Sequence, residues 1–411
     1  MNVKWYRDTT LLEDETYNVD SAEYFCDTQV SSYNKVVITI GNMQRANRFL
    51  KIFNISDGIT RQFYNDELEN VQIIEEITNN NQALNINQSE LVVLPKNTTG
   101  VLFQRTLPFS IYRNDTLFGR FFVDSSTSNS DKTLYKLKVS DYIKTLDGQT
   151  YLGGIYSNTT VSTLVADILG DIPYTLNATL GAYTISGYLP VLTKREALRQ
   201  VAFCTNAYVD TSRSDKIIIA PLPTTSSSTI TKADILSLET TQENIVTKIE
   251  LNTELLTTRN ASTDEIYNGS LNGTTSILFD SPKFNLTISG GTIVSSNCNY
   301  AIISGTGGTV VLSGQTYEQY TNVGTKTNSN AVSTDIEKIQ SYSTTLTCNN
   351  ISLLNLLTFV EFKVKSKFKM GNIKVGDIIT LDGTTARVLT LSYDISQTNI
   401  YAEAELEVYY E

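Results

Sequence analysis

The sequence predicts a mainly β protein, a β-rich α+β chain, and three observations carry that prediction. Short runs rich in Val, Ile, Thr, Tyr and Phe recur along most of the 411 residues, the composition that suits a pleated, half-buried surface. Asn-Gly, Asp-Gly and Gly-Gly pairs punctuate these runs, which is hairpin turn chemistry. Helical periodicity behind a capping residue is confined to a few short stretches. Hydrophobic residues make up 40% of the chain and charged residues 18%, enough to bury real cores. The length exceeds one ordinary core, so about three to five structural units are expected.

Residues 1–66 read as an N-terminal β unit. Val36 to Ile40 is a strong strand, Arg48 to Ile55 alternates apolar and polar residues, and Asp57-Gly58 supplies a turn,. Residues 67–147 carry a second set of strands: Val71 to Ile77, Leu84 to Asn87, Glu90 to Leu94, Leu107 to Arg113, Leu117 to Asp124 and Leu134 to Val139. Strands at this spacing predict a small barrel or sandwich.

Residues 148–235 break the pattern and form a small α/β unit. Thr160 caps a helix with Val161, Leu164, Val165 and Ile168 on one face, stopped at Gly170,. Thr193-Lys194-Arg195-Glu196 is a capping box that opens a second helix with Ala197, Leu198, Val201, Ala202 and Cys204 inward. A hairpin follows, Tyr208 to Asp210 and Lys216 to Ala220, and the Ser/Thr run Thr224 to Thr229 reads as a linker,. A strand covers 244–252. Residues 258–338 look like an inserted all-β module, with short strands separated by Asn268-Gly269, Asn272-Gly273, Gly290-Gly291 and Gly307-Gly308,. Around 346–362 a helix capped by Asn349 or Asn350 would align Ile351, Leu354, Leu357 and Val360. Three strands close the chain, Asp377 to Leu381, Ala386 to Ile395 and Tyr401 to Tyr410, with a hairpin turn at Asp382-Gly383. Residues 236–257 and 339–411 are thereby grouped as one discontinuous strand set.

Composition excludes several chemistries. There are no histidines, which removes Ser-His-Asp and Cys-His catalysis, His-ligated zinc and the usual near-neutral proton carrier. A formal charge of −11, from 32 basic and 43 acidic residues, repels phosphate backbones and argues against a general nucleic-acid binder. Cys26, Cys204, Cys298 and Cys348 match no metal spacing and read as small buried hydrophobes,. The N-terminal residues show no apolar signal core. The longest apolar tract, Ile351 to Phe362, is interrupted by Ser352, Asn355 and Thr358 and is too short to span a bilayer,.

Every candidate site has a plainer reading. Glu67, Glu69, Glu75 and Glu76 could suggest paired carboxylates for glycoside cleavage, but their spacing defines no pocket and they read as solvated acids. Asp210 to Asp215 lacks the central Gly and terminal Glu of a calcium loop and reads as a hairpin turn. Gly305 to Gly308 and Val323 to Thr327 lack the elements of a phosphate cradle and read as turns. The chain is therefore expected not to be an enzyme, with no catalytic, cofactor-binding or metal residue assigned and no cofactor. The most suggestive feature is Phe362 to Met370: in a strand, Lys363, Lys365, Lys367 and Lys369 line one face and apolar residues the other,. It reads either as a basic stripe meeting an acidic neighbour, a tape-measure protein or DNA, or as a solvated edge strand guarded by lysine.

Four stretches, in order, resemble the baseplate hub proteins of contractile phage tails and of prophage-derived tail-like particles of the Gram-positive type. They are Leu107 to Asp124, Ser140 to Leu146, Tyr188 to Ala202 with the hairpin to Ala220, and Asn372 to Ile379. The resemblance spans most of the chain and its motifs are structural. It implies two β-barrels of the tail-tube type in one chain, residues 67–147 and the discontinuous set, with the α/β unit between them. It further implies a homotrimeric ring joining a hexameric tail tube, or a distal tail protein, to a central spike. The tape-measure protein and baseplate wedge would be further neighbours, and DNA would pass through without a membrane contact. The expected location is a virion tail or tail-like particle assembled in the bacterial host cytoplasm. The competing expectation is a receptor- or carbohydrate-binding tail-tip protein, with 258–338 as the binding module.

Overall fold

The computed structural model describes residues 1–19, 30, 33–41, 62–78, 83–96, 103, 108–242, 245–259, 261–332 and 337–410. The chain divides into two compact units, Met1–Tyr64 and Asn65–Glu411, and it is mainly β, as the strand runs and turn pairs predict. In the first unit, β1 (Asn2–Arg7) pairs on one side with β2 (Thr10–Thr16) and on the other with β3 (Lys35–Thr39). Val3 and Trp5 are buried while their neighbours are less so, the alternation of a half-buried strand. The predicted strand Arg48 to Ile55, the Asp57-Gly58 turn and Cys26 lie outside the described residues.

The second unit opens with five antiparallel strands, β4 (Leu68–Glu76), β5 (Gln88–Val93), β6 (Pro108–Arg113), β7 (Thr116–Ser128) and β8 (Tyr135–Ser140), in spatial order β4-β5-β8-β7-β6. Asn114 and Asp115 both take positive φ, 47° and 62°, so the β6–β7 turn is the two-residue type whose twist matches the strands. Leu84 to Asn87 is not a strand; it leads into β5 without ladder bonds.

The α/β unit follows α1 (Tyr142–Thr145). Its elements are β9 (Thr150–Tyr151), β10 (Gly154–Thr160), α2 (Val161–Leu169), β11 (Tyr174–Leu176), α3 (Ala178–Gly181), β12 (Thr184–Leu189), β13 (Leu192–Thr193), α4 (Lys194–Thr205), β14 (Ala207–Asp210) and β15 (Ile217–Pro221). Thr160 and Thr193 cap the helices as their sequence context predicts, each accepting a hydrogen bond from the N–H three residues on. All the residues predicted to face inward on α2 and α4 are buried in one apolar cluster. Gly170 (φ 61°) ends α2 and Asn206 (φ 50°) ends α4 in the left-handed region,.

The Ser/Thr run read as a linker is instead a strand, β16 (Ser226–Ile230), followed by β17 (Ile235–Thr241). Beyond it lie β18 (Lys248–Thr257), β19 (Thr263–Leu278), β20 (Lys283–Ser289), β21 (Gly291–Ser296), β22 (Tyr300–Thr316) and β23 (Glu318–Thr327). β19 and β22 form one long bulged ladder with β20 and β21 along β22. Asn268-Gly269, Asn272-Gly273 and Gly307-Gly308 therefore sit inside strands and bulges, not in turns between short strands; only Gly290 (φ 72°) turns the chain as expected. Ala301, Ile303, Val310 and Leu312 make this module's own core.

The chain returns through β24 (Ile339–Thr344), β25 (Leu346–Cys348), α5 (Leu353–Leu356), β26 (Val360–Lys369), β27 (Ile378–Leu381), β28 (Thr384–Asp394) and β29 (Tyr401–Tyr409). The long helix expected over 346–362 shrinks to α5. Asn349 and Asn350 do not cap it: Asn350 accepts from the Thr184 N–H and Asn349 donates to Asn158, because β25 adds to β12. β18 pairs in parallel with β24, the first strand of 339–411, and with β23 in a separate three-stranded sheet, apart from the sheet that holds β26 to β29.

Strands from both ends of the unit merge into one eleven-stranded sheet. β4-β5-β8-β7-β6 joins β17-β26-β29-β28 through β28–β4, and β16-β27 branches from β28. Register shows that the second set is rolled. Ile230 of β16 leads through Leu381 to Thr384, whereas Ile235 of β17 leads through Phe368 and Ala402 to Tyr393. On a flat sheet those ends would lie ~24 Å apart across the strands and ~30 Å along them. The five-residue connection from Ile230 to Ile235 reaches at most ~18 Å, so the strands must tilt and coil as they do in a barrel. The first set rolls likewise. Phe118 of β7 meets Tyr393 of β28 edge-on at 6.0 Å, and Arg113 donates to the carbonyls of Gln397 and Thr398 at 2.9 Å. The two expected barrels are thus two rolled sets sharing β28. Among the described residues no backbone ladder closes either set: β6 does not pair with β28, and β16 does not pair with β17.

Candidate functional site

Three features of Asn65–Glu411 are open to function: its free strand edges, its outer charged face and a buried polar junction. Among the described residues β6 pairs only with β7, β16 only with β27 and β17 only with β26, so each presents one unpaired edge. Such edges recruit further strands unless they are blocked. β17 is the least protected: Leu236 and Leu238 are 60% and 48% exposed. Leu238 stands opposite Ser366, on the side of the sheet that buries Val364 and Phe368, so the apolar inner face runs out at this edge.

The lysine stripe lies on β26 as the alternation predicted, with Val364, Ser366 and Phe368 buried on the opposite face. β26 is not an edge strand, however. It lies between β17 and β29, and β29 places Glu407, Glu405 and Glu403 directly opposite Lys363, Lys365 and Lys367. Lys365 meets Glu405 at 3.0 Å and Lys367 meets Glu403 at 2.9 Å. The hydrogen bond to Glu405 holds the Lys365 ammonium above its ordinary pKa. The stripe is one rail of a Lys–Glu ladder in which three of its four lysines face glutamates, a pairing invisible while β29 was read alone.

The junction collects groups from four segments. Arg213, in the β14–β15 turn at φ 57°, donates to the Glu75 carboxylate of β4 and, at 2.6 Å, to the Tyr393 hydroxyl of β28. Tyr393 in turn donates to Glu75 at 2.6 Å. The guanidinium lies 4.3 Å from the ring centre of Phe118. Glu75 is 1% exposed; burial raises its pKa, opposed chiefly by Arg213. The reading of Glu75 as a solvated acid is therefore overturned, as is that of Glu67, which is buried and accepts from the Lys96 N–H at 2.9 Å. Glu69 and Glu76 are exposed. No carboxylate pair faces a cleft here, because alternate residues of β4 point to opposite sides.

Beside this pair, the Asp141 carboxylate caps α1. It accepts from the Ile143 and Asn87 N–H groups, each at 3.0 Å, and from the Thr211 hydroxyl. Asn87 donates through its side chain to Thr211 at 3.0 Å and Ser212 at 3.2 Å. Asp210 accepts from the N–H and hydroxyl of Ser212 and lies 3.8 Å from Lys374. Tyr208 donates to the Val375 carbonyl at 2.7 Å. Gly376 (φ 84°) lies beneath its ring, where a Cβ would come within 2.6 Å. Asp210 to Asp215 is a hairpin turn, as read, but one whose side chains tie β14–β15 to both rolled sets. Among the described residues no group of three or more His, Cys, Asp or Glu is placed to hold a metal ion. Sequence reasoning missed the junction because Glu75, Arg213 and Tyr393 are far apart in the chain and each sits in an unremarkable local pattern.

The remaining candidates fall in strands or packing. Gly305 to Gly308 lies in β22 and Val323 to Thr327 in β23, so neither is a turn and neither precedes a helix. Cys204 and Cys298 are buried free thiols and Cys348 is half-buried; burial pushes Cys298 up to about 11. Cys298 sits in a loop that seats the inserted module on the α/β unit. Asn299, 3% exposed, donates to the Leu152 and Leu189 carbonyls at 2.8 and 2.9 Å and accepts from the Tyr188 hydroxyl at 3.0 Å. Asn297 donates to the Gly153 carbonyl at 2.9 Å.

The fold and these features define a β-rich protein of several sheets with unpaired strand edges. No family model matches the chain, and no curated protein does. Among solved structures it is similar to the 43 kDa tail protein of prophage MuSo2 from Shewanella oneidensis, at 9% identity over 82% of this chain and 94% of that one, TM-score 0.48. It is similar to prophage tail protein gp18 from Listeria monocytogenes EGD-e, at 11% identity over 84% and 89%, TM-score 0.49. It is also similar to the tail protein from Neisseria meningitidis MC58, at 9% identity over 83% and 92%, TM-score 0.49. Each likeness is partial, and a shared fold does not fix a function.

Proposed function

We propose that the chain is a structural subunit of a phage-type tail, forming a trimeric baseplate-hub ring that joins a hexameric tail tube to a central spike. The observation that carries the reading is the pair of rolled strand sets sharing β28 within one polypeptide. Three such chains present six rolled sets, so a threefold ring can meet a sixfold tube on one side and a threefold spike on the other. The motifs that resemble hub proteins fall on this framework: Leu107 to Asp124 covers β6 and β7, Tyr188 to Ala202 leads into α4, and Asn372 to Ile379 leads into β27.

In this reading the free edges of β17 and β6 are the contacts between neighbouring copies. Head-to-tail pairing of these unlike edges closes a ring and covers both of them. The Lys–Glu ladder on β26 and β29 suits a face that lines a passage, because paired charges offer a passing polyanion no net grip. The role is structural and needs no catalytic group.

Native mass measurement of the purified protein tests the proposal, alone and as Leu238→Glu. Leu238 is already exposed, so the substitution leaves the isolated chain folded by circular dichroism while removing the trimer. A wild-type protein that stays monomeric at micromolar concentration, with or without tube and spike proteins, would overturn the reading.

A further inference from the structure

The polar junction holds more acid than base. Glu75, Asp141, Asp210 and Asp377 converge there against Arg213 and Lys374, and the first three are almost fully buried. Two of their oxygens, Oε2 of Glu75 and Oδ2 of Asp210, accept no hydrogen bond, although Lys374 stands 3.8 Å from the second. Asp377 is held by the Lys374 N–H at 3.1 Å. Four carboxyls and two cations in a water-poor space favour retaining a proton.

We propose that this junction is a proton-operated joint: with Asp141 neutral the β14–β15 turn is locked onto the segment before β5, and with Asp141 charged beside Asp210 the turn is loosened. The inference does not depend on the tail reading. Asp141 is the buried carboxyl that joins the turn to the segment before β5 and to α1. Its neighbours are Asn87 from the segment before β5, Thr211 and Asp210 from the hairpin, and the Ile143 N–H of its own helix. Farther out stand Glu75, Arg213, Tyr208, Tyr393, Lys374 and Asp377. Thr211 can serve both states, because a hydroxyl donates to a carboxylate or accepts from a carboxylic acid.

Burial is the largest influence on Asp141 and pushes its pKa up to about 7, against the hydrogen bonds from Thr211, Asn87 and Ile143 and with a further upward push from Asp210. Burial also raises Glu75 and Asp377, so all three shifts act in one direction. The sign follows from linkage. A carboxyl whose folded pKa lies above its unfolded value of 3.8 stabilises the fold fully at acid pH and loses that contribution as pH rises through about 7. From pH 6 to pH 8, one proton released at that midpoint changes the opening equilibrium about tenfold.

Hydrogen–deuterium exchange of the intact protein, corrected for the intrinsic pH dependence of amide exchange, tests the joint. Protection in peptides covering 205–216 and 84–90 is expected to fall about tenfold between pH 6 and pH 8, while the core of α2 is unchanged. Asp210→Asn removes the neighbouring like charge and lowers the transition midpoint. Thr211→Val removes a donor to the charged form and raises it. These opposite displacements distinguish a titrating joint from general weakening. Protection that is flat across this range, or one midpoint shared by wild type and both variants, would overturn the proposal.

Discussion

Replacing Arg213 with Met is the sharpest probe of how the junction holds the second unit together. The substitution keeps the length of the side chain and removes the cation. Glu75, 1% exposed and paired with Arg213, is left with only the Tyr393 hydroxyl as donor. Breaking a buried ion pair from one side costs ~3–5 kcal/mol. Loss of the guanidinium from the Phe118 and Tyr393 rings, 4.3 and 5.3 Å away, adds about 1 kcal/mol. The cost depends on pH with a definite sign. Burial already raises Glu75, and removing Arg213 raises it further. The penalty is therefore largest at high pH, where Glu75 must ionise, and shrinks as pH falls and the carboxyl takes up a proton. Glu75→Leu combined with Arg213→Met removes both charges and should recover most of the loss, to within ~2 kcal/mol of wild type, the remainder being the orphaned Tyr393 hydroxyl. Urea titration followed by far-ultraviolet circular dichroism is the assay. Tryptophan fluorescence is unsuitable, because the single tryptophan, Trp5, lies in Met1–Tyr64. A single replacement costing under ~1 kcal/mol at pH 8, or a double replacement as damaging as the single, would refute the reasoning.

Other outcomes follow from the same geometry. Asn299→Ala orphans two carbonyls and one hydroxyl and should cost ~3 kcal/mol, seen as faster amide exchange at 150–154 and 187–190 while the module's own β19–β22 ladder stays protected. Replacing Lys365 and Lys367 with Gln breaks only exposed pairs with Glu405 and Glu403 and should move the melting midpoint by no more than ~2 °C, with a larger effect at low salt than at high salt. Gly376→Ala places a methyl against the Tyr208 ring at a positive φ and should lower stability by ~1–3 kcal/mol, read from the same urea transition.

Local chemistry was legible wherever neighbours in sequence are neighbours in space. Thr160 and Thr193 cap helices, Asp382-Gly383 turns a hairpin with φ of 48° and 88°, and the β26 lysines share one face, because each depends on residues within a few positions. The same reasoning failed where a distant strand decided the outcome. Thr224 to Thr229 looks like a linker until β27 offers Ile378 to Leu381 as a ladder, and Asn349 and Asn350 look like caps until β12 claims them. The paired barrels were expected as closed rings; instead the ladder between β4 and β28 fuses them, a pairing of segments some 320 residues apart that no periodicity announces. For the junction, Glu75 sits at an alternating position of β4 and Arg213 in a polar turn, so neither carries a mark of burial. The lysine stripe was visible, but its meaning lay in Glu403, Glu405 and Glu407 on another strand.

Electron microscopy of the purified protein tests the central proposal most directly. Class averages viewed down the symmetry axis should show a closed ring of three subunits with six rolled lobes around a central opening. Isolated monomers at the same concentration, or rings of twofold or sixfold subunit symmetry, would contradict it.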